Sequence, residues 1–138
     1  MSALARQARS LRIVRAVFLA SIGIYACVGE VMVQGGHEVD IHLEIGIAVC
    51  AVLDIAVAFF FRQKTSNSAL EVLRSDPENV QAIGRWGTGQ LVSLVLAESV
   101  LLFGFALRFL GAPLLHSVPY YLVSLVLLLW FRPAEADF

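Results

Sequence analysis

The chain has 138 residues, of which 59% are hydrophobic and 15% charged, with a mean hydropathy of +0.79. An ordinary soluble domain is about 25% charged, so the composition excludes a water-soluble globule and leaves a single membrane domain. A net charge of −1, with no basic stripe interleaved with aromatics, excludes a nucleic-acid partner.

In chain order, four apolar stretches stand out at residues 13–33, 41–61, 91–110 and 114–131. Each is near the ~20 residues that a helix needs to cross ~30 Å of hydrocarbon. Runs this uniform predict helices, because lipid offers no partners for an open backbone and a barrel would alternate every other residue. The predicted fold is therefore an all-α integral membrane four-helix bundle made of two antiparallel hairpins. Its basic residues set the orientation. Arg6, Arg9, Arg12, Arg15, Arg62, Lys64, Arg74, Arg85 and Arg132 fall on one side of an even-numbered topology and Arg108 on the other, which places both termini in the cytoplasm of a bacterial inner membrane. Residues 1–27 also have the basic start and apolar core of a signal peptide. The long lead before residue 10 and the apolar run beyond any cleavage point favour a retained first helix.

Along the first helix Ala16, Ala20, Gly23, Cys27 and Glu30 recur at spacings of four and three, a stripe of small residues ending in an acid. The second helix carries Ile47, Cys50, Ala51, Asp54 and Ala58 in a comparable stripe, so the two helices are expected to face each other. Counted from the outer turn, Cys27 and Cys50 lie at a similar depth of about 10 to 12 Å and are expected to be neighbours, as packing residues rather than a redox or metal pair. The segment 62–90 reads as a structured cytoplasmic elbow with two helix starts, one at Ser68 with Glu71 and one at Asp76-Pro77-Glu78. Gly84, Gly87 and Gly89 are expected to loosen the start of the third helix, and Trp86 and Trp130 to sit at the headgroup boundary. Ala97 and Gly104 belong to a narrow strip of the third helix with Ser93 and Arg108, beside a bulky face bearing Glu98. The fourth helix, mostly Leu and Val with Ser117 and Ser124 as breaks, is expected to be peripheral.

Three acids fall inside spans: Glu30 near the outer end, Asp54 slightly to the cytoplasmic side of centre, and Glu98 near mid-depth. Inserting one costs ~2.5 to 3.5 kcal/mol, whereas the strongly apolar residues of the third span return ~4 to 8 kcal/mol, so insertion succeeds. Counted inward from the same side, Glu98 lies about 18 Å from Trp86 and Asp54 about 12 Å from Arg62, depths at which the two overlap. Glu98 and Asp54 are thus the candidate proton- or ion-binding residues, with Glu98 held largely protonated unless a cation pairs with it. The alternative is that both acids are neutral hydrogen-bonding groups that fix helix register, with Ser93, Ser99 or Gln90 as partners. Arg108, Glu30 and Glu44 all lie toward the outer side and are expected to form an ion pair or triad. His37, His42 and His116 are external and read as solvated residues rather than metal ligands. The sequence has no nucleophile motif, phosphate-cradling loop or haem-type cysteine pattern, so no cofactor and no catalytic chemistry are expected.

At Leu96-Ala97-Glu98-Ser99 followed by Phe103-Gly104, the third helix resembles the carboxylate-bearing helix of the rotor-ring proteolipids (c subunits) of ATP synthases, over about ten residues. The resemblance implies that Glu98 is a proton-binding acid with Phe103 and Gly104 as its packing neighbours. A broader stretch looks like a group of small uncharacterised bacterial four-helix inner-membrane proteins, over roughly the last half of the chain. It runs from Arg85-Trp86 through Ala97-Glu98, Leu102-Phe103-Gly104 and Leu107-Arg108-Phe109-Leu110-Gly111 to Trp130-Phe131-Arg132-Pro133. This likeness implies a compartment. The expected role is a non-catalytic accessory or interaction subunit whose partners are the lipid bilayer and other membrane helices, or copies of itself. The competing expectation is a proton- or cation-handling protein, and a third is an enzyme acting on lipid through His37, His42 and His116.

Overall fold

The computed structural model describes residues 2–33 and 38–131, and all regular structure among them is helical. The elements are α1 (Ala3–Met32), α2 (Ile41–Phe61), a π-helical turn (Arg62–Asn67), α3 (Ser68–Ser75), α4 (Val80–Phe109) and α5 (Leu114–Trp130). Three helical runs, Ala3–Met32, Ile41–Ser75 and Val80–Phe109, are long and apolar enough to cross a membrane. With 17 residues, α5 stands at the short end of the ~17 to 25 that suffice. An all-α, four-helix arrangement consistent with a membrane protein follows.

Helix starts obey local chemistry. Ser2 Oγ accepts the Ala5 N–H at 3.2 Å and Asp40 Oδ1 accepts the His42 N–H at 3.0 Å, each satisfying a donor that the first turn leaves orphaned. The chain leaves α4 through Gly111, at φ 100°. Ala112 N–H donates to the Leu107 carbonyl at 3.0 Å and Gly111 N–H to that of Arg108 at 3.1 Å, the paired bonds of a left-handed helix end. Pro113 then opens α5 directly.

The elbow is structured, as helix continuous with α2 as far as Ser75, a turn at residues 76–79 and then the first turns of α4. Ser68 does not cap; its Oγ donates back to the Lys64 carbonyl at 2.5 Å. Residues 62–67 hold no Pro or Gly, so nothing stops the helix and it widens into a π turn instead. The next helix starts later than Asp76. Asn79 is its cap, with Oδ1 accepting Ala82 N–H at 3.0 Å, while Asp76 and Pro77 form the preceding turn, a place proline fits equally well. α4 is helical from Val80 rather than from about Leu91, and Gly84, Gly87 and Gly89 do not loosen it. A Cβ on Gly87 would strike the Gln7 side chain, and one on Gly89 would lie 2.9 Å from the Ser66 nitrogen. Both are points of close approach.

α4 is the central helix: 44% of its apolar window is buried, against 6% for α1 and 11% for Ile41–Ser75. α1, α2 and α5 each pack on α4, and α1 also touches α5. Among the described residues α1 and α2 do not pack together, contrary to expectation, and Cys27 and Cys50 are both exposed and unbonded to each other. The expected α1 stripe of Ala16, Ala20, Gly23, Cys27 and Glu30 is exposed throughout. α1 packs instead through Leu4, Ala8, Leu11, Phe18, Ile22 and Gly29. α1 meets α4 where Gln7 lies against Gly87, where Ser21 reaches Glu98, and where Gly29 lies beside Phe105 and Arg108. On α2, Ala51 and Ala58 are buried as expected of packing residues, whereas Cys50 is not.

α5 is not peripheral. Ser117, Tyr121, Ser124, Leu127 and Leu128 are buried, and Ser124 Oγ donates to the Ala97 carbonyl at 2.8 Å. Trp86 does not face outward either. It is fully buried with Leu4, Ala8, Leu73 and Ile83, because a helix beginning at Val80 places it on the same face as Ile83 and Gln90. Trp130, 71% exposed, remains at the surface.

Candidate functional site

Two acids meet two serines halfway along the bundle. Glu98 on α4 places Oε1 2.5 Å from Ser21 Oγ on α1. Asp54 on α2 places Oδ2 2.5 Å from Ser99 Oγ on α4. Neighbouring residues of a helix diverge by about 100°, so Glu98 and Ser99 face opposite flanks of α4. That geometry follows from α1 and α2 lying on different sides of the central helix. Glu98 and Asp54 accordingly take different serines, with the exposed side chains of Leu91, Val95 and Leu102 on the strip between them.

Each serine has two acceptors in reach and one hydroxyl proton. Ser21 Oγ lies 2.7 Å from the Phe18 carbonyl as well as against Glu98, and Ser99 Oγ lies 2.6 Å from the Leu96 carbonyl as well as against Asp54. When a carboxyl group carries a proton, it donates to the serine and the serine donates to its own helix, satisfying both contacts. Each site therefore has room for one more proton than the serine supplies. Glu98 Oε2 is buried without a hydrogen bond from any described residue. Of the partners weighed from sequence, Ser99 meets Asp54, whereas Ser93 turns to the carbonyls of Gly89 (2.7 Å) and Ala58 (3.5 Å). Ser21, the partner of Glu98, was missed; a polar residue at matching depth in the first span was the available signal.

At the end of the bundle where α2 runs into the π turn, Arg62 Nη1 donates to Gln90 Oε1 at 2.7 Å, and Gln90 Nε2 donates to Ser66 Oγ at 2.7 Å. The guanidinium also lies 5.0 Å over the Phe131 ring. Burial pushes the Arg62 pKa below its ordinary value, although a guanidinium holds its proton strongly enough to stay charged. Arg15 Nε ties α1 to α5 by donating to the Leu128 carbonyl at 2.7 Å.

At the opposite end Arg108 grips Glu30 with both arms of its fork, Nε to Oε1 at 2.7 Å and Nη2 to Oε2 at 2.9 Å, and Nη1 donates to the Ala112 carbonyl at 3.0 Å. This is a pair, not a triad. Glu44 turns instead to His116 Nδ1 on α5, 3.1 Å away, because α2 sits on the far side of α4 from α1. His42 is held by its backbone bond to Asp40, and His37 lies outside the described residues, so the three histidines are not seen as one constellation. Ala97 and Gly104 are buried against α5, where a Cβ on Gly104 would come within 2.6 Å of Tyr120 Cβ. No protein-family model, curated protein or solved structure matches the chain.

Proposed function

We propose that the chain is a non-catalytic subunit of a bacterial inner-membrane assembly. It crosses the bilayer four times with both ends in the cytoplasm and works by presenting helix faces to partner helices within the lipid. The single observation that carries this reading is the splaying of α1 and α2 on separate sides of α4. In Ile41–Phe61 only Ala51 and Ala58 are buried, so most of α2 is available for contact. Apolar burial does not drive helices together in lipid, but side-chain packing does, and an arm this free has unused packing surface. Photo-crosslinkers placed at Val49 and Leu53, both more than half exposed, should capture a defined membrane protein in intact cells. Capture of lipid alone from every α2 position would refute the reading. Reporter fusions at either end that are active only outside the cytoplasm would refute the topology.

A second reading has its own observation, the spare proton position at Glu98 with the partnerless Oε2. On it, Glu98 binds a proton or cation, with Asp54 assisting. Glu98→Gln keeps the contact to Ser21 but cannot ionise. Unchanged pH-dependent growth or uptake in that variant, at normal protein abundance, removes this reading.

A further inference from the structure

Three sides of α4 are taken. α1 lies against Gly87, Glu98 and Phe105, α2 and the π turn lie against Gly89, Ser93 and Ser99, and α5 lies against Ala97 and Gly104. The fourth side is open. At about 100° per residue, Leu91, Val95, Leu102 and Phe109 all project into the arc between Glu98 and Ser99, and each is 41 to 49% exposed. From Leu91 to Phe109 this strip rises about 27 Å, close to the ~30 Å of hydrocarbon. It is therefore open over the whole depth that a helix on a partner would occupy.

Lipid is a poor cover for this side, because its two margins are polar at one depth. Glu98 with Ser21 of α1 forms one edge, Ser99 with Asp54 of α2 forms the other, and all four residues are partly exposed. Carboxyl groups inside a membrane almost always face the interior of a bundle. Among the described residues α1 and α2 do not pack together, so the single chain does not close that interior.

The order of the margins selects what completes it. A two-fold axis along the membrane normal, set beside the strip, lays α4 of one copy along α4 of another and places each margin opposite the other kind. Glu98 and Ser21 of one copy then stand across from the partner's Ser99 and the partner's Asp54. Their depths agree, since residues 98 and 99 differ by only about 1.5 Å of rise. The same match recurs on the other side of the axis, as an isologous contact requires. An unrelated helix would have to bring polar groups to both flanks at that one depth, whereas a second copy carries them already. Together with the shoulders of α1 and α2 the face is about three helix widths or ~30 Å across. By ~27 Å in height that is about 800 Å², the area each member of a stable pair buries.

We propose that the open side of α4 is a two-fold interface with a second copy of the chain. Each interface completes two polar sites, and each site joins Glu98 and Ser21 of one copy to the partner's Asp54 and the partner's Ser99. The two acids that one chain sends to opposite flanks of α4 are brought together between chains. The inference rests on the membrane-spanning reading above and names the partner for one helix face.

The test uses the full chain in isolated membranes, with Cys27→Ala and Cys50→Ala removing both native thiols. Single cysteines are introduced by Val95→Cys and Leu102→Cys on the strip, and by Ala20→Cys and Val49→Cys at exposed positions of α1 and α2 off it. On oxidation with copper phenanthroline, the two strip cysteines should give disulfide dimers several-fold more than the two others. Two differently tagged copies, one with Ser21→Cys and the other with Ser99→Cys, should form a mixed disulfide several-fold more than either forms with itself. A further measurement uses the unaltered chain, extracted in polymer-bounded lipid discs and weighed by native mass spectrometry, where two copies per particle are expected. Dimers formed equally on and off the strip, no mixed disulfide, one copy per disc, or a different protein seated with a single copy would each overturn the proposal. Recovery of the chain in the soluble fraction without detergent would overturn the membrane-spanning reading itself, so the two failures are distinct.

Discussion

Gly104→Ala puts one methyl group where α4 and α5 run closest. Its Cβ would lie 2.6 Å from Tyr120 Cβ, 3.1 Å from Tyr121 Cε1 and 3.2 Å from the Ser117 carbonyl oxygen. Carbon atoms rest about 3.5 to 4.0 Å apart, and Tyr120 Cβ is fixed to the backbone, so α5 must recede by roughly 1 Å at this crossing. Overfilling of this kind costs about 1 to 3 kcal/mol. The recoil also stretches the Ser124 bond to the Ala97 carbonyl, and such bonds between membrane helices average about 0.6 kcal/mol. Alanine returns about 0.8 to 1.0 kcal/mol of helix propensity. The net expectation is a loss of about 0.5 to 2.5 kcal/mol. Gly23→Ala and Gly84→Ala, with nothing within 4 Å of the added atom, should keep the propensity gain and lose nothing. Reversible unfolding in mixed micelles titrated with dodecyl sulfate measures all three. Trp130→Phe serves as the common background, so that fluorescence reports the buried Trp86. A Gly104→Ala protein as stable as its parent, alongside a stabilised Gly23→Ala, would refute the close approach of α4 and α5.

The left-handed Gly111 gives a second stability test: Gly111→Ala should destabilise by about 1 to 2 kcal/mol in the same titration, and no loss would mean that α4 ends differently. For the Arg108 and Glu30 pair, Arg108→Glu or Glu30→Arg alone should lower accumulation in membranes, and the double exchange should restore it; a double exchange as poor as either single one removes the contact. Because Cys27 and Cys50 stand on helices that do not touch, mild oxidation should produce crosslinked dimers or no change. A fast intramolecular disulfide, seen by thiol counting on monomeric protein, would place α1 against α2 after all.

Much of the architecture was legible in the chain because hydropathy and capping are local. The four helical stretches, the helical elbow, the buried Ala97 and Gly104, and the meeting of Arg108 with Glu30 all follow from counting residues along a helix of known rise. Caps were legible only as types: Asn79, not Asp76, starts α4, since several competent residues lay within one turn. Which helix faces which was not legible. In lipid the outward face is as apolar as the packed one, so periodicity cannot separate them. On α1 the small stripe from Ala16 to Cys27 and the bulkier stripe from Leu11 to Gly29 are both regular. Only the tertiary structure decided that the bulkier one packs, against Gly87, Glu98, Phe105 and Arg108 of α4. The same cause moved Ser21 to Glu98, Glu44 to His116 and Trp86 into the core: a helix face acquires its meaning from the surface opposite it, and that surface comes from distant parts of the chain.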